Sequence, residues 1–146
     1  MTLFDESAPE KPSSCLVAHV DGGSRGNPGH AGYGVFIRDS AGGPPTELSQ
    51  YLGVQTNNFA EYSGLLAALR FARDHGAKAI EVVSDSELMV RQLNGQYRVK
   101  NEGLKPLYQE AVSLIRTFDW FKVRHVRREF NKEADRLANL AMDRKR

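Results

Sequence analysis

Five segments of the chain have the apolar pattern of β-strands. The first, residues 15–21, is an apolar run (CLVAHVD) that ends at Asp-Gly-Gly, which is typical of a buried strand entering a tight turn. The four glycines and one proline of residues 22–29 predict a loop there. Because only short links separate the first three segments, we expect them to form an antiparallel meander. The predicted strands are residues 15–21, 32–38, 46–54, 79–84 and 120–127.

The spacing of apolar residues changes after the third strand. Across residues 58–75 apolar side chains recur at helical spacing, which predicts an amphipathic helix, and Gly76 is suited to end it. A helix between two strands favours a crossover to a parallel neighbour. Further helices are predicted at residues 87–93, 104–117 and 131–142.

Together these elements predict one α/β domain over residues 15–146. Residues 1–14 lack the basic and apolar regions of a signal peptide, and we expect a short disordered lead-in there. The 146 residues are 40% hydrophobic and 26% charged, which excludes a largely disordered chain. Because no apolar run approaches the roughly 20 residues of a membrane-spanning helix, we expect no membrane partner.

Cysteine content and charge limit the kinds of site that the chain can contain. Cys15 is the only cysteine, which excludes an intrachain disulfide and a cysteine-rich zinc site and suits a reducing cytoplasm. The net charge of +2 hides an asymmetry, because residues 122–146 hold nine Lys or Arg against four acids, a local charge of +5. Such a segment can follow phosphates, although a solvated helix face with a basic tail explains it equally well. We expect a monomer.

Four acidic residues occupy one kind of position along the predicted elements. Asp21 and Asp85 end strands, and Glu61 and Asp135 lie in the first turns of helices. Functional sites of α/β sheets gather at such positions. Four carboxylates that meet there would repel one another unless a hard divalent cation lay among them, and two such ions suit phosphodiester hydrolysis.

Each of these acids also has a structural explanation. Glu61 fits a variant of the capping box, and Asp85 fits a helix cap or a favourable partner of the helix dipole. Asp135 fits the same dipole role, and Asp21 before two glycines fits a turn. Singly, these explanations are favoured for the three helix-associated acids, and only the shared placement of all four argues for a site.

Four motifs resemble the type 1 ribonuclease H family in order and spacing, over about residues 16–142. They are Asp21-Gly-Gly-Ser-Arg-Gly-Asn-Pro-Gly29, Thr56-Asn-Asn-Phe-Ala-Glu61, Ser84-Asp85-Ser86 and Asn131-Lys-Glu-Ala-Asp135. The resemblance implies an α/β fold with a five-stranded mixed sheet in the order 3-2-1-4-5, flanked by helices. It also implies that the four acids bind two Mg²⁺ ions, for which Mn²⁺ can substitute. The implied reaction cuts the RNA strand of RNA–DNA hybrids and leaves 5′-phosphate and 3′-hydroxyl ends.

The same comparison suggests residues for substrate binding. Asn27, Asn57 and Asn58 match family positions that touch the hybrid, where amides can address RNA 2′-hydroxyls. Helix capping is the alternative role for Asn57 and Asn58. The full set of candidates is Gly22, Asn27, Asn57, Asn58, Ser86, Arg127 and Arg128.

The chain departs from well-known bacterial members at two places. The loop at residues 127–130 has no histidine, and we expect His125 beside it to be a strand residue. Residues 94–105 are too few to form the long basic insertion with which many members grip the duplex. The chain therefore resembles a short subgroup, and efficiency and affinity are in doubt rather than the reaction class. Arg127, Arg128 and Glu129 are candidates for part of the loop's role, and the alternative is that all three are solvated side chains without a function.

Three other functions stay open from the sequence. A non-catalytic nucleic-acid-binding domain would have the same fold, and a protein-interaction module would use the acids only as caps. A DNA-cutting integrase or resolvase has a similar sheet, but the Asn-Pro-Gly and Thr-Asn-Asn segments argue against it by resemblance. Double-stranded RNA stays open as a second substrate.

Overall fold

The computed structural model describes residues 11–146, so residues 1–10 of the expected lead-in lie outside the described part. The strands are β1 (Leu16–Arg25), β2 (Gly29–Asp39), β3 (Thr46–Gln55), β4 (Ala79–Ser84) and β5 (Trp120–His125). They form one mixed sheet in the order β3-β2-β1-β4-β5, which confirms the predicted order. The first three strands are antiparallel, and β4 runs parallel to both β1 and β5.

Four helices and one short turn complete the fold. The helices are α1 (Asn57–Asp74), α2 (Glu87–Leu93), α3 (Lys105–Ile115) and α4 (Lys132–Arg144), and a 3₁₀ turn covers Arg128–Phe130. The bounds of β4 and α2 equal the predicted ones, whereas the other elements differ by a few residues at one or both ends.

The helices lie on both faces of the sheet. On β2, Tyr33 lies against Gly64 of α1, whereas the next residue, Gly34, lies directly under α4. Because successive strand residues point to opposite faces, α1 and α4 cover opposite faces of the sheet. The main core fills the α1 side, where Val20, Leu65 and Val82 are fully buried.

The glycine-rich segment after Asp21 is strand rather than loop, which corrects the sequence interpretation. β1 continues through Gly22 and Gly23 to Arg25, and these residues pair in register with the start of β2. A β-carbon on Gly22 would lie 2.3 Å from the carbonyl carbon of Ala60, so the absent side chain lets α1 rest on β1. The β1–β2 hairpin therefore extends four residues beyond Asp21.

Among the described residues, none of the helices combines the length and the apolar character needed to cross a lipid bilayer.

Candidate active site

The parallel pairing of β1 with β4 places two acids side by side. Val20 of β1 pairs with Ser84 of β4, and the next residue on each strand is Asp21 and Asp85 respectively. Both acids therefore lie side by side at the edge of the sheet where β4 and its pairing with β1 end. This is the edge where open α/β sheets bind ligands.

The close contact between β1 and α1 brings the third acid to this edge. The position that a β-carbon on Gly22 would take is only 2.5 Å from the backbone nitrogen of Glu61. Asp21, Glu61 and Asp85 each offer one carboxylate oxygen, and these oxygens lie within 4.8 Å of one another. We call these three residues the acidic cluster.

Asp135 joins the acidic cluster from the opposite face of the sheet. Asn131, at the start of α4, is buried and donates from Nδ2 to the carbonyl oxygen of Val20 at 2.9 Å. One helical turn later, Asp135 interacts with Asp21. It also forms an ion pair with Arg128, whose Nη2 lies 3.3 Å from Asp135 Oδ1. Asn131 therefore anchors α4 to β1 immediately next to the residue that Asp135 approaches.

Burial and mutual repulsion disfavour the ionised forms of the acidic cluster. Burial, followed by the charge of Asp85 and the contact and charge of Asp135, raises the pKa of Asp21 to about 8. Burial, followed by the charges of Asp21 and Asp85, raises the pKa of Glu61 well above its usual range. Burial also raises the pKa of Asp85, although the nearby Arg128 guanidinium opposes that rise.

The donor set fits a hard divalent cation. All of its donors are carboxylate oxygens, which are the ligands that Mg²⁺ and Mn²⁺ prefer. Glu61 Oε2 is buried and has no hydrogen-bond partner among the described residues. A cation at this position would satisfy that oxygen and offset the mutual repulsion of the acidic cluster.

Helix capping does not account for Glu61 or Asp85. Thr56 caps α1, where its Oγ1 accepts from the backbone nitrogen of Phe59 at 3.2 Å. Ser86 caps α2, where its Oγ accepts from the backbone nitrogen of Met89 at 3.3 Å. The capping alternatives for the two acids are therefore wrong, because neighbouring hydroxyl groups perform that role. Asp135 does lie in the first turn of α4, where the dipole favours it.

The asparagines of the second motif connect the hairpin to α1. Asn57 Oδ1 accepts from the backbone nitrogen of Ser24 at 2.7 Å, and Asn27 Oδ1 accepts from the backbone nitrogen of Asn57 at 3.1 Å. In the described chain, the side-chain nitrogens of both asparagines have no protein partner. Asn58 is exposed at the next position. These contacts hold the β1–β2 hairpin tip beside the first turn of α1.

A cleft of about 630 Å³ surrounds the acidic cluster. Of the candidate substrate-binding residues, Gly22, Asn57, Arg127 and Arg128 line it, whereas Asn27, Asn58 and Ser86 do not. Seven further residues that were not proposed as site residues also line it, which are Gly23, Ser24, Arg25, His125, Val126, Asn139 and Met142. The signal for Arg25 is its spacing of four residues from Asp21, which places both on one face once the segment between them is known to be strand.

The raised pKa values of the acidic cluster predict how pH affects stability without metal. The pKa of Asp21 is raised from 3.8 to about 8 on folding, so its protonated form favours the folded state. This contribution is fully present below about pH 4 and is lost as pH rises toward 8. In EDTA, we expect the melting temperature of the parent to fall by about 5 °C or more relative to Asp21→Asn between pH 5 and 8.

Thermal unfolding of both proteins across this pH range measures the difference directly. Asp119→Asn, at an exposed carboxylate outside the cleft, is the control and should run parallel to the parent. Mg²⁺ should reverse the trend, because it binds only the ionised folded site. A parent and an Asp21→Asn protein with the same pH dependence in EDTA would contradict the raised pKa.

Comparison with known sequences identifies relatives of this chain. Residues 19–141 match the protein family described as Reverse transcriptase-like. A bifunctional protein of Mycobacterium tuberculosis is 44% identical over 129 residues, which are 88% of this chain and 35% of that protein. Ribonuclease HI of Halobacterium salinarum is 41% identical over 126 residues, which are 86% of this chain and 63% of that protein.

Solved structures show the same relationship. The N-terminal ribonuclease H domain of the M. tuberculosis protein has a TM-score of 0.86 at 43% identity, over 91% of this chain and 96% of that one. Ribonuclease H1 of H. salinarum has a TM-score of 0.84 at 40% identity, over 89% and 98%. LC11-RNase H1, solved in complex with an RNA/DNA hybrid, has a TM-score of 0.81 at 40% identity, over 88% and 97%.

This chain belongs to the ribonuclease H family, type 1. It spans about a third of the M. tuberculosis relative and just under two thirds of the H. salinarum enzyme.

Proposed function

We propose that this chain is a metal-dependent endonuclease that hydrolyses the RNA strand of RNA–DNA hybrids and leaves 5′-phosphate and 3′-hydroxyl ends. The observation that carries the proposal is the acidic cluster, whose oxygens lie within 4.8 Å of one another in an open cleft. The choice of substrate is supported by the 40% identity to LC11-RNase H1, which was solved with an RNA/DNA hybrid.

The residues proposed to hold two Mg²⁺ ions, for which Mn²⁺ would substitute, are Asp21, Glu61, Asp85 and Asp135. When bound, such ions lower the pKa of the attacking water and offset the charge on the leaving oxygen. The protein holds the ligands in place before any ion arrives. The backbone nitrogen of Gly22 donates to Asp21 Oδ1 at 3.0 Å, and the Asn131 contact to β1 positions the helix that carries Asp135.

Recognition of RNA is assigned to the hairpin and the start of α1. The side-chain oxygens of Asn27 and Asn57 accept hydrogen bonds from backbone nitrogens, which fixes the orientation of both side chains. Their side-chain nitrogens can therefore donate to 2′-hydroxyl groups of RNA. Gly22 lines the cleft, and its backbone is proposed to contact the substrate. Asn58 follows Asn57 in the chain and Ser86 follows Asp85, and both are proposed to reach the duplex only at its edge.

The hybrid is the proposed partner, the chain is proposed to act as a monomer, and a cytoplasmic site of action suits this substrate. Analysis of the product ends tests the proposed chemistry. A hybrid with a labelled RNA strand is incubated with Mg²⁺ or with EDTA. We expect fragments with extendable 3′-hydroxyl ends in Mg²⁺ and none in EDTA. Fragments that end in a 2′,3′-cyclic phosphate would contradict the proposal, because they arise when the 2′-hydroxyl rather than water attacks.

Arg127 and Arg128 are expected to contribute unequally to cleavage. Arg128 pairs with Asp135 and moderates the charge of Asp85, whereas Arg127 pairs with Glu129 on the loop. We expect Arg128→Ala to lower kcat/KM by about tenfold and to reduce the salt slope of binding by about one. Arg127→Ala should change the salt slope and affect turnover little.

Cleavage kinetics against salt concentration measure both effects. Arg116→Ala, at an exposed arginine that ends α3 outside the cleft, is the control. If both loop variants match this control in KM, kcat and salt slope, the two loop arginines are solvated residues without a functional role.

A further inference from the structure

Arg25 is a cationic residue of the cleft that has no role in the proposed nuclease mechanism. It is the last residue of β1, four residues beyond Asp21, and its side chain lines the same cleft as the acidic cluster. The side chain is about half exposed. Arg25 is therefore accessible to a ligand that lies across the cleft.

The guanidinium of Arg25 is held against α4 by two contacts. Its NH1 group pairs with Asp143 Oδ1 at 2.5 Å, and its NH2 group donates to Asn139 Oδ1 at 3.3 Å. Asn139 is itself fixed, because its Nδ2 donates to the carbonyl oxygen of Asp135 at 3.0 Å. A hydrogen-bond chain thus connects Arg25 to the helical turn that carries a proposed metal ligand.

The ion pair with Asp143 is easy to exchange. The carboxylate of Asp143 is 63% exposed, and exposed ion pairs contribute at most about 1 kcal/mol to stability. A phosphate presents the same kind of acceptor as a carboxylate and can receive two parallel hydrogen bonds from an arginine. An incoming phosphate could replace Asp143 without disturbing the contact to Asn139.

The charges of the cleft indicate which phosphate this would be. The acidic cluster repels the backbone of any nucleic acid, so phosphates next to the cleaved bond need cations at the rim of the cleft. Arg128, paired with Asp135, supplies one such cation near Asp85. Arg25 supplies another from the end of β1, in the cleft that would hold the cleaved strand.

We propose that Arg25 binds a phosphate of the cleaved RNA strand next to the scissile phosphate, and that Asp143 occupies this site when no substrate is bound. The inference rests on the proposed nuclease function and extends it by one subsite. Arg25 would act as a positioning residue for the strand. Asp143 would act as an internal competitor that keeps the guanidinium aligned in the free protein.

This arrangement makes two substitutions act in opposite directions. Arg25→Gln removes the phosphate partner and should weaken hybrid binding by roughly three- to tenfold at moderate salt. It should also reduce the salt slope by about one contact. Asp143→Asn removes the competitor and should tighten binding two- to threefold, because an exposed ion pair is weak. The double variant should behave like Arg25→Gln, because the competitor matters only while Arg25 is present.

Hybrid binding is measured by fluorescence anisotropy in EDTA, with Asp85→Asn as the parent so that the RNA stays intact and the cluster repels it less. Arg73→Gln is the matched control, because Arg73 is an exposed arginine paired with the carboxylate of Asp74. It lies sixteen residues beyond Asn57 on α1, which is about 24 Å from the cleft end of the helix. Melting temperatures verify that each variant is folded.

A second set of hybrids locates the contact. Each carries one neutral methylphosphonate in the RNA strand, at successive positions. The difference between parent and Arg25→Gln should vanish at one position adjacent to the cleavage site and persist at the others. Equal affinities and salt slopes for the parent and both single variants would overturn the inference, as would a loss that is the same for every methylphosphonate position. Failure of unmodified protein to cleave the hybrid with Mg²⁺ would instead overturn the proposed function.

Discussion

Asp21→Asn and Asp85→Asn are expected to lower hybrid cleavage by about a thousandfold or more while the fold persists. Each substitution removes a proposed metal ligand from a cluster whose three oxygens lie within 4.8 Å of one another. Divalent ions contribute several kcal/mol to transition states of phosphoryl transfer, and each 1.36 kcal/mol corresponds to a tenfold change in rate. The amide keeps the size of the carboxylate, so packing around β1 and β4 is preserved.

The same substitutions are expected to preserve or raise stability in EDTA. Burial and the neighbouring carboxylates raise the pKa of both groups, so a neutral side chain relieves repulsion in the folded state. Single-turnover cleavage and thermal unfolding of the two variants measure the two effects, and Asp119→Asn serves as the surface control. Near-normal cleavage by either variant in Mg²⁺ would refute the assignment of the acidic cluster as the metal site.

Gly22→Ala is expected to damage stability and activity together. The added β-carbon would lie 2.3 Å from the carbonyl carbon of Ala60 and 2.5 Å from the backbone nitrogen of Glu61. Backbone atoms cannot rotate away, so α1 must move off β1 and carry Glu61 away from Asp21. Overpacking costs about 1–3 kcal/mol, and we expect the upper end of this range, with a melting temperature lower by about 10 °C. A shift of about 1 Å in a ligand can lower the rate a hundredfold.

Gly23→Ala is the matched control for stability. A β-carbon there would meet the terminal methyl of Met142 at 3.7 Å, which is ordinary contact, so the melting temperature should change little. Melting temperatures of both variants, together with titration of Gly22→Ala by Mn²⁺, distinguish a displaced ligand from simple unfolding. A Gly22→Ala protein with normal stability and normal metal affinity would show that close packing of α1 on β1 does not position Glu61.

The sequence predicts most of the fold because its patterns are local. The apolar run of β4 and the short α2 between Ser86 and Asn94 carry their own start and stop signals, and their bounds agree with the structure. The first strand was predicted too short because glycines usually indicate a turn. Gly22 serves a tertiary purpose instead, since it allows α1 to rest on β1, and no local pattern reveals that contact.

The sequence indicates which acids form the candidate site, but it does not reveal the contacts that position them. Asp21 follows the apolar run of β1 and Asp85 follows that of β4, and the two acids become neighbours only through parallel pairing of the two strands. Asn131 was recognised only as part of a motif, although its buried contact with β1 anchors α4. The pairing of Arg25 with Asp143 joins residues far apart in the chain, so spacing along the sequence could not indicate it.

The acidic cluster is proposed to cut RNA paired with DNA by using a divalent ion. The most direct test compares RNA–DNA, RNA–RNA and DNA–DNA duplexes of one matched sequence, each incubated with Mg²⁺, with Mn²⁺ or with EDTA. Asp85→Asn serves as the inactive control. We expect the RNA strand of the hybrid to be cleaved with either metal, DNA to stay intact, and EDTA to prevent all cleavage. An intact hybrid in both metals, or cleavage that persists in Asp85→Asn at the parent's rate, would contradict this role of the acidic cluster.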